Sequence, residues 1–172
     1  MAGDARPEIR ISRQKLDQDI ARLADGLARN KGKWRAVVGV ANGGVYPAGK
    51  VAERLGLEYC EIRVSSYDGK IKFAPRIIRT IDGSGVGLLI VDDVVDSGDT
   101  ALLVRGLFPE ADFASVYGKH DGLRKLEVNG RAHCCAERFP QKLWIVFPWH
   151  QPGWANELPR SVVEYRRRIT PQ

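Results

Sequence analysis

Apolar residues at Leu16, Ile20, Leu23 and Leu27 recur at steps of four, three and four, which puts them on one face of a helix that Ser12 can cap. That helix is expected on the outside of the domain. A short apolar run, Ala36–Val40, then reads as a buried strand ending in the glycine turn "ANGG". Val45, Ala48, Ala52 and Leu55 return to helical spacing and are closed by Gly56 at the position that follows a helix. Glu58–Ser65 alternates as a second strand. Gly87–Val91 is continuously apolar, as strands covered on both faces are. Thr100–Leu107 reads as a helix stopped by Pro109, Asp112–Tyr117 as a strand, and Leu143–His150 as the last strand.

Strand, helix, strand, repeated twice, predicts an α/β fold: an open, mostly parallel, twisted sheet flanked by helices. Functional turns in such sheets lie at the carboxyl ends of the strands. The segment 66–85 breaks the pattern. It is polar, glycine-punctuated and interrupted by Pro75, so it is expected to form a flap or β-hairpin. At 172 residues the chain has the length of a single domain. Its core is expected over 11–150, with a C-terminal tail from 151 to 172 carrying a turn of helix around Arg160–Arg167. No internal repeat is visible.

Composition narrows the class without choosing a function. With 44% hydrophobic and 28% charged residues the chain reads as globular, and no apolar stretch has the length of a bilayer crossing. No signal-peptide pattern opens it. Three cysteines, two of them adjacent, give neither a disulfide framework nor a zinc spacing, which fits a reducing cytoplasm. The excess of 27 basic over 21 acidic residues favours an anionic partner, whether nucleic acid, phosphorylated metabolite or acidic lipid. Because the basic residues are dispersed apart from Arg166–Arg168, a solvated surface with a frayed tail accounts for them. No helix-turn-helix and no interleaved aromatic and basic pattern favours nucleic-acid readout.

The chemistry concentrates in "VDDVVDSGDT", Val91–Thr100. Charged side chains resist burial unless paired or bound, so acids at the mouth of a buried strand call for a ligand. Asp92 and Asp93 end the strand. Asp96, Ser97, Gly98, Asp99 and Thr100 form a small-residue turn that opens a helix, where several backbone amides can meet one phosphate. Carboxylates beside it accept hydrogen bonds from sugar hydroxyls, and a phosphate next to a diol is ribose 5-phosphate. The plain alternative is that the turn merely caps its helix, with Asp96 as the cap. The lysine of a Walker loop is missing.

"LLIVDDVVDSGDT" resembles the signature of type I phosphoribosyltransferases. "VGVANGGVYPAGKVAERLG", "VSSYDG", "FPEADFASVYGK" and "LWIVFPWH" extend the resemblance to bacterial xanthine-guanine phosphoribosyltransferases over roughly residues 11–150. That likeness implies the type I fold, with a flap and a small C-terminal hood. It implies Mg²⁺-dependent transfer from 5-phosphoribosyl 1-pyrophosphate to a 6-oxopurine (xanthine, guanine or hypoxanthine) in purine salvage, by a dimer or tetramer.

The resemblance also assigns roles. Asp96 corresponds to the general base. Asp92 and Asp93 hold the ribose and Mg²⁺, and Ser97, Gly98, Asp99 and Thr100 hold the phosphate. Ala41, Asn42, Gly43 and Gly44 match the pyrophosphate loop, in which such enzymes often carry a non-proline cis bond. Lys70, Lys72 and Arg76 are the flap cations. Lys119 corresponds to the donor to the 6-oxo group, Trp144 to the residue stacking on the base, and the Ile145 carbonyl to an acceptor for a 2-substituent.

The chain departs from the resembled pattern at three places. Asn42 stands where an arginine is usual, Phe73 where a basic residue is common, and His150 where relatives carry an acid. His133, Cys134 and Cys135 are read as structural, since neighbours along a strand face opposite sides and buried thiols are common core. His120 receives no role. Two rival functions remain at this level: a regulator that keeps the fold and senses the sugar phosphate or binds nucleic acid, and a transferase with another base acceptor. Asp96 disfavours the first, and Lys119 disfavours adenine.

Overall fold

The computed structural model describes residues 6–67, 70–74, 83–128, 133–152 and 157–170, with backbone alone for 65–67 and 70–74. The described elements in chain order are β1 (Glu8–Arg10), α1 (Arg13–Ala28), β2 (Ala36–Ala41), α2 (Val45–Leu55), β3 (Glu58–Tyr67), β4 (Lys70–Ala74), β5 (Leu88–Val95) and α3 (Asp99–Leu107). They continue with β6 (Asp112–Lys119), α4 (His120–Val128), β7 (Cys134–Phe139), β8 (Trp144–Val146) and α5 (Arg160–Ile169).

The first two predicted helices form for the reasons their patterns give. Ser12 Oγ accepts from the Lys15 amide at 3.1 Å and starts α1, a cap that contributes about 1 kcal/mol. Leu16, Ile20, Leu23 and Leu27 are all buried beneath it, each contributing roughly 1.5–3 kcal/mol by leaving water. Gly56 closes α2 in the left-handed region, as expected.

The main sheet has the order β4-β3-β2-β5-β6-β7, parallel throughout except for the antiparallel edge strand β4. Chain order runs outward in one direction from β2 to β3 and in the other from β5 to β7. The switch between those directions lies between β2 and β5, and a crevice opens there at the carboxyl ends of the strands. The loops Asn42–Gly44, after β2, and Asp96–Gly98, after β5, both leave the sheet at that crevice. Helix α2 packs on β2, β3 and β5 with α1 and α5 beside it, while α4 packs on β6 and against α3.

Four features differ from the sequence reading. The last strand is only Trp144–Val146; Phe147 leaves it and Pro148 opens a 3₁₀ turn through His150, because proline cannot continue a ladder. That strand does not join the main sheet but pairs in parallel with β1, a three-residue strand the pattern was too short to reveal. Helix α4 and edge strand β7 occupy the polar stretch between Tyr117 and Leu143, for which the pattern predicts no element. The C-terminal segment is no frayed tail: α5 buries Val162 and Tyr165 in the core, and Arg166 Nε donates at 2.7 Å to Glu61 Oε1 on β3. Arg167 and Arg168 remain exposed.

The segment expected as a flap begins as an antiparallel hairpin, with Tyr67 opposite Lys70 and Arg63 opposite Ala74. Lys70 and Lys72 are on β4, their side chains outside the described residues, and Arg76 lies outside them altogether. No helix among the described residues is long and apolar enough to cross a membrane.

Candidate active site

Asp92 and Asp93 stand at the end of β5, where alternation sends their side chains to opposite sides of the strand. Each is tied down locally: Asp92 Oδ1 accepts from the Asp93 amide at 2.9 Å, and Asp93 Oδ1 from the Val94 amide at 2.7 Å. Burial, and then the neighbouring Asp93 charge, pushes the Asp92 carboxyl well above its ordinary range. Burial also raises Asp93, opposed by hydrogen bonds and by His150. Two such carboxylates gain from any cation or hydroxyl brought to them.

The turn that follows is a cradle of small residues. Gly98 takes φ +83°, and a side chain there would sit 2.9 Å from the Gly122 carbonyl, so both conformation and space require glycine. A cavity of about 90 Å³ is lined by Asp92, Val94–Gly98, Thr100 and Ala101, over the amino end of α3. Asp96 does not cap that helix. The capping position is Gly98, without a side-chain bond, while Ser97 Oγ donates to Asp99 Oδ2 at 2.8 Å and Asp99 pairs with Lys125 at 3.0 Å. This removes Asp96 as the cap, although Ser97 Oγ does accept from the Asp99 amide at 3.4 Å.

The Asp96 carboxylate turns instead toward the end of β6. Lys119 Nζ, at the end of β6, donates to its Oδ2 at 2.8 Å. Lys119 is 1% exposed, although a lysine ending a strand is ordinarily at the surface; the pairing with Asp96 is what permits burial. The same ammonium lies 5.9 Å from the Trp144 ring, whose residue is 45% exposed. Arg6 reaches that ring too, at 5.4 Å. Because Trp144 N bonds Pro7 O and Ile11 N bonds Val146 O, strand alternation turns the Ile145 carbonyl away from β1.

On the other side of the acids, the loop Ala41–Gly44 carries a cis peptide between Ala41 and Asn42, as the resemblance led us to expect. Gly43 lies against the Asp93 carboxylate so closely that any Cβ would fall on it. A cavity of about 310 Å³ is lined by Asn42, Gly43, Val45, Tyr46, Asp93, Trp149, His150 and Leu158. Stacking of Phe147 on Trp149 at 4.6 Å holds the last two aromatic walls in place.

Residues 11–118 match the family model for the phosphoribosyl transferase domain. The chain belongs to the phosphoribosyltransferase family. It is similar to the xanthine-guanine phosphoribosyltransferase of Cereibacter sphaeroides, 38% identical over 147 residues that span 81% of this chain and 84% of the relative. The corresponding enzyme of Ruegeria sp. is 39% identical over 154 residues, 81% and 83% of the two chains. Among solved structures, the purine phosphoribosyltransferase of Pyrococcus horikoshii matches with a TM-score of 0.67 at 25% identity, covering 87% of this chain and 99% of that one. The type I fold expected from the sequence is the fold of the phosphoribosyltransferase.

The structure thus brings Ala41–Gly44, Asp92, Asp93, the turn 96–100, Lys119 and Trp144 to one end of the sheet. It also adds residues that the sequence reading missed. Gln141 contacts Asp96, Gly122 packs under the cradle, and Tyr46 and Trp149 wall the cavity beside Asn42. Nothing in a single sequence marks Gln141, which lies 45 positions from its partner. His133 donates to or accepts from Ser115 Oγ at 2.8 Å, while Cys134, expected to be buried, is exposed because β7 is an edge strand. Cys60 is buried, which pushes its thiol up to about 11.

Proposed function

We propose that the phosphoribosyltransferase transfers the 5-phosphoribosyl group of 5-phosphoribosyl 1-pyrophosphate to an imidazole-ring nitrogen of a 6-oxopurine, releasing pyrophosphate. The observation that carries this reading is the Lys119–Asp96 pair, 2.8 Å apart, set between the phosphate cradle and an exposed tryptophan face. A 6-oxopurine offers an oxygen to Lys119 and a ring N–H to Asp96, so one ion pair is exchanged for two charge-assisted hydrogen bonds. A 6-amino group is itself a donor and meets the ammonium with no acceptor, which disfavours adenine.

In the reaction the bond from the anomeric carbon to the pyrophosphate oxygen breaks as the carbon–nitrogen bond forms, and the ring N–H proton passes to Asp96. The turn 97–100 anchors the 5-phosphate through main-chain donors. Asp92 and Asp93 hold the ribose and set negative charge beside a ring that becomes cationic, fixed dipoles and charges being the largest catalytic term in most enzymes. Trp144 supplies a face for stacking, and the Ile145 carbonyl an acceptor at the purine's 2-position. Gly43 and its neighbours let the main chain approach the leaving group.

Asp92 and Asp93 are also the residues that would hold Mg²⁺. Both are hard oxygen donors, and each keeps one carboxylate oxygen outside the local amide bonds named above. Among the described residues no group of three His, Cys, Asp or Glu side chains forms a ready cage, so substrate oxygens and water would complete the shell. When bound, the ion neutralises charge on pyrophosphate and sugar oxygens. The reading extends to Mg²⁺ dependence and to a role in purine salvage by a homo-oligomer in the cytoplasm.

The test is an assay of the protein with Mg²⁺, labelled donor and a panel of free bases. Nucleotide is expected from xanthine, guanine or hypoxanthine and not from adenine or pyrimidines. Product from adenine or a pyrimidine alone contradicts the assignment of Lys119.

A further inference from the structure

We propose that Gln141 is the positioning residue of the reaction, holding one oxygen of the Asp96 carboxylate fixed while the other exchanges partners. The inference rests on the reading of Asp96 as the base. Gln141 follows Pro140 in the turn between β7 and β8, which the Leu143 amide closes onto the Pro140 carbonyl at 3.1 Å. Its Nε2 donates to Asp96 Oδ1 at 3.0 Å and to the Asp96 carbonyl at 3.3 Å. Its Oε1 accepts from the Asp121 amide at 3.1 Å. A backbone N–H can only donate and a carboxylate can only accept, so the two ends of the amide cannot be interchanged.

The consequence is a division of labour between the two oxygens of Asp96. Oδ2 belongs to Lys119, which must leave it to meet a base oxygen; Oδ1 belongs to Gln141, which has no reason to move. When the ammonium transfers to the substrate, Gln141 is the partner left to keep the carboxylate in line with the ring N–H. The same amide joins three segments that meet at the base end: the turn after β5, the start of α4 next to Lys119, and the turn leading into Trp144. A second contact to the Asp96 carbonyl fixes the main chain of the base as well as its side chain.

Two variants separate orientation from scaffolding. Gln141→Leu removes both polar ends. Gln141→Glu keeps an acceptor for the Asp121 amide but takes the donor from Asp96. Both are expected to lower kcat about tenfold, since a loosened reacting group loses alignment, with KM for the sugar donor within about twofold and the melting temperature unchanged. Either variant with kcat within about twofold of wild type overturns the proposal. So does a loss of kcat matched by loss of donor affinity or of fold, which would make Gln141 scaffold.

Asp96→Asn, assayed alongside, tests the base assignment by itself. If the wild type forms no nucleotide at all, calorimetry with a purine nucleoside monophosphate still decides the role of Gln141. Weaker nucleotide binding in both variants with binding of ribose 5-phosphate unchanged supports it; unchanged nucleotide binding in either, or an equal loss for both ligands, overturns it.

Discussion

The end of the cleft proposed for the phosphate is made of main chain and small residues, whereas the end proposed for the base is made of side chains brought together from distant parts of the chain. At the phosphate end, Asp92–Thr100 is one continuous stretch in which the absence of bulk is the functional feature: Gly98 and Gly43 have no room for a Cβ. At the base end, Lys119, Gln141 and Trp144 come from β6, a turn and a small separate sheet, and each works by what its side chain reaches. The first end should therefore fail when atoms are added, and the second when they are removed.

The largest effect is expected where the two ends meet. Asp96→Asn should lower kcat by about 10²–10⁴-fold, the range typical of a positioned base, while calorimetry finds the sugar phosphate bound nearly as well as before. Turnover close to wild type would remove the base from the mechanism and leave the ends unconnected.

Next comes the footing of the base end. His133 is half-buried beside Phe113 and bonded to Ser115 on β6, and desolvation followed by the Arg105 and Arg138 charges lowers its pKa from 6.5 to about 4. Below pH 6.5 the unfolded chain takes up a proton that the folded chain refuses. Stability is thus whole above pH 6.5 and falls progressively as the pH drops towards 4, by up to about 3 kcal/mol. Denaturant titrations across that window should show the loss, and His133→Gln should flatten it. An equal slope in the variant would place the acid sensitivity elsewhere.

Adding atoms at the phosphate end ranks third. Gly98→Ala forces a side chain into a left-handed backbone and against the Gly122 carbonyl, at a cost of roughly 1–2 kcal/mol in stability. Its specific signature should be a raised KM for the sugar donor with unchanged discrimination among bases. Altered base preference would mean that the two ends are not separable.

The smallest effect is expected at Asn42. Asn42→Arg adds a fixed charge to the wall of the 310 Å³ cavity and should tighten inhibition by pyrophosphate by about 1 kcal/mol. An unchanged inhibition constant would indicate that another group, such as His150 on the same wall, already serves there.

The same contrast explains what the sequence disclosed. The strand-turn-helix units at β2–α2 and β5–α3 are contiguous, with buried apolar runs and glycines where the backbone demands them, so a local pattern carries them. Helix α4 escaped notice because "HDGLRKLEV" has few apolar positions, Leu123 and Leu126 being buried among the described side chains, too little for a visible stripe. Edge strand β7 buries only Phe139, so no alternation marks it. The turn of helix expected around Arg160–Arg167 forms as α5, but its docking was not legible, because it buries Val162 and Tyr165 in a run otherwise polar and its partner Glu61 lies 105 positions away. Within the site, Asp96 was legible as an acid in a turn, but its choice of Lys119 over the helix end was a matter of tertiary geometry. Gln141 became visible only with the fold.

The most direct test of the account is a structure of the protein with a purine nucleoside monophosphate bound. The account predicts the monoester on the amides of 97–100, the furanose against Asp92 and Asp93, and the base between Trp144 and a Lys119 that has left Asp96 for the 6-oxo group. A nucleotide bound elsewhere, with Lys119 still paired to Asp96 and the turn after β5 empty, would contradict it.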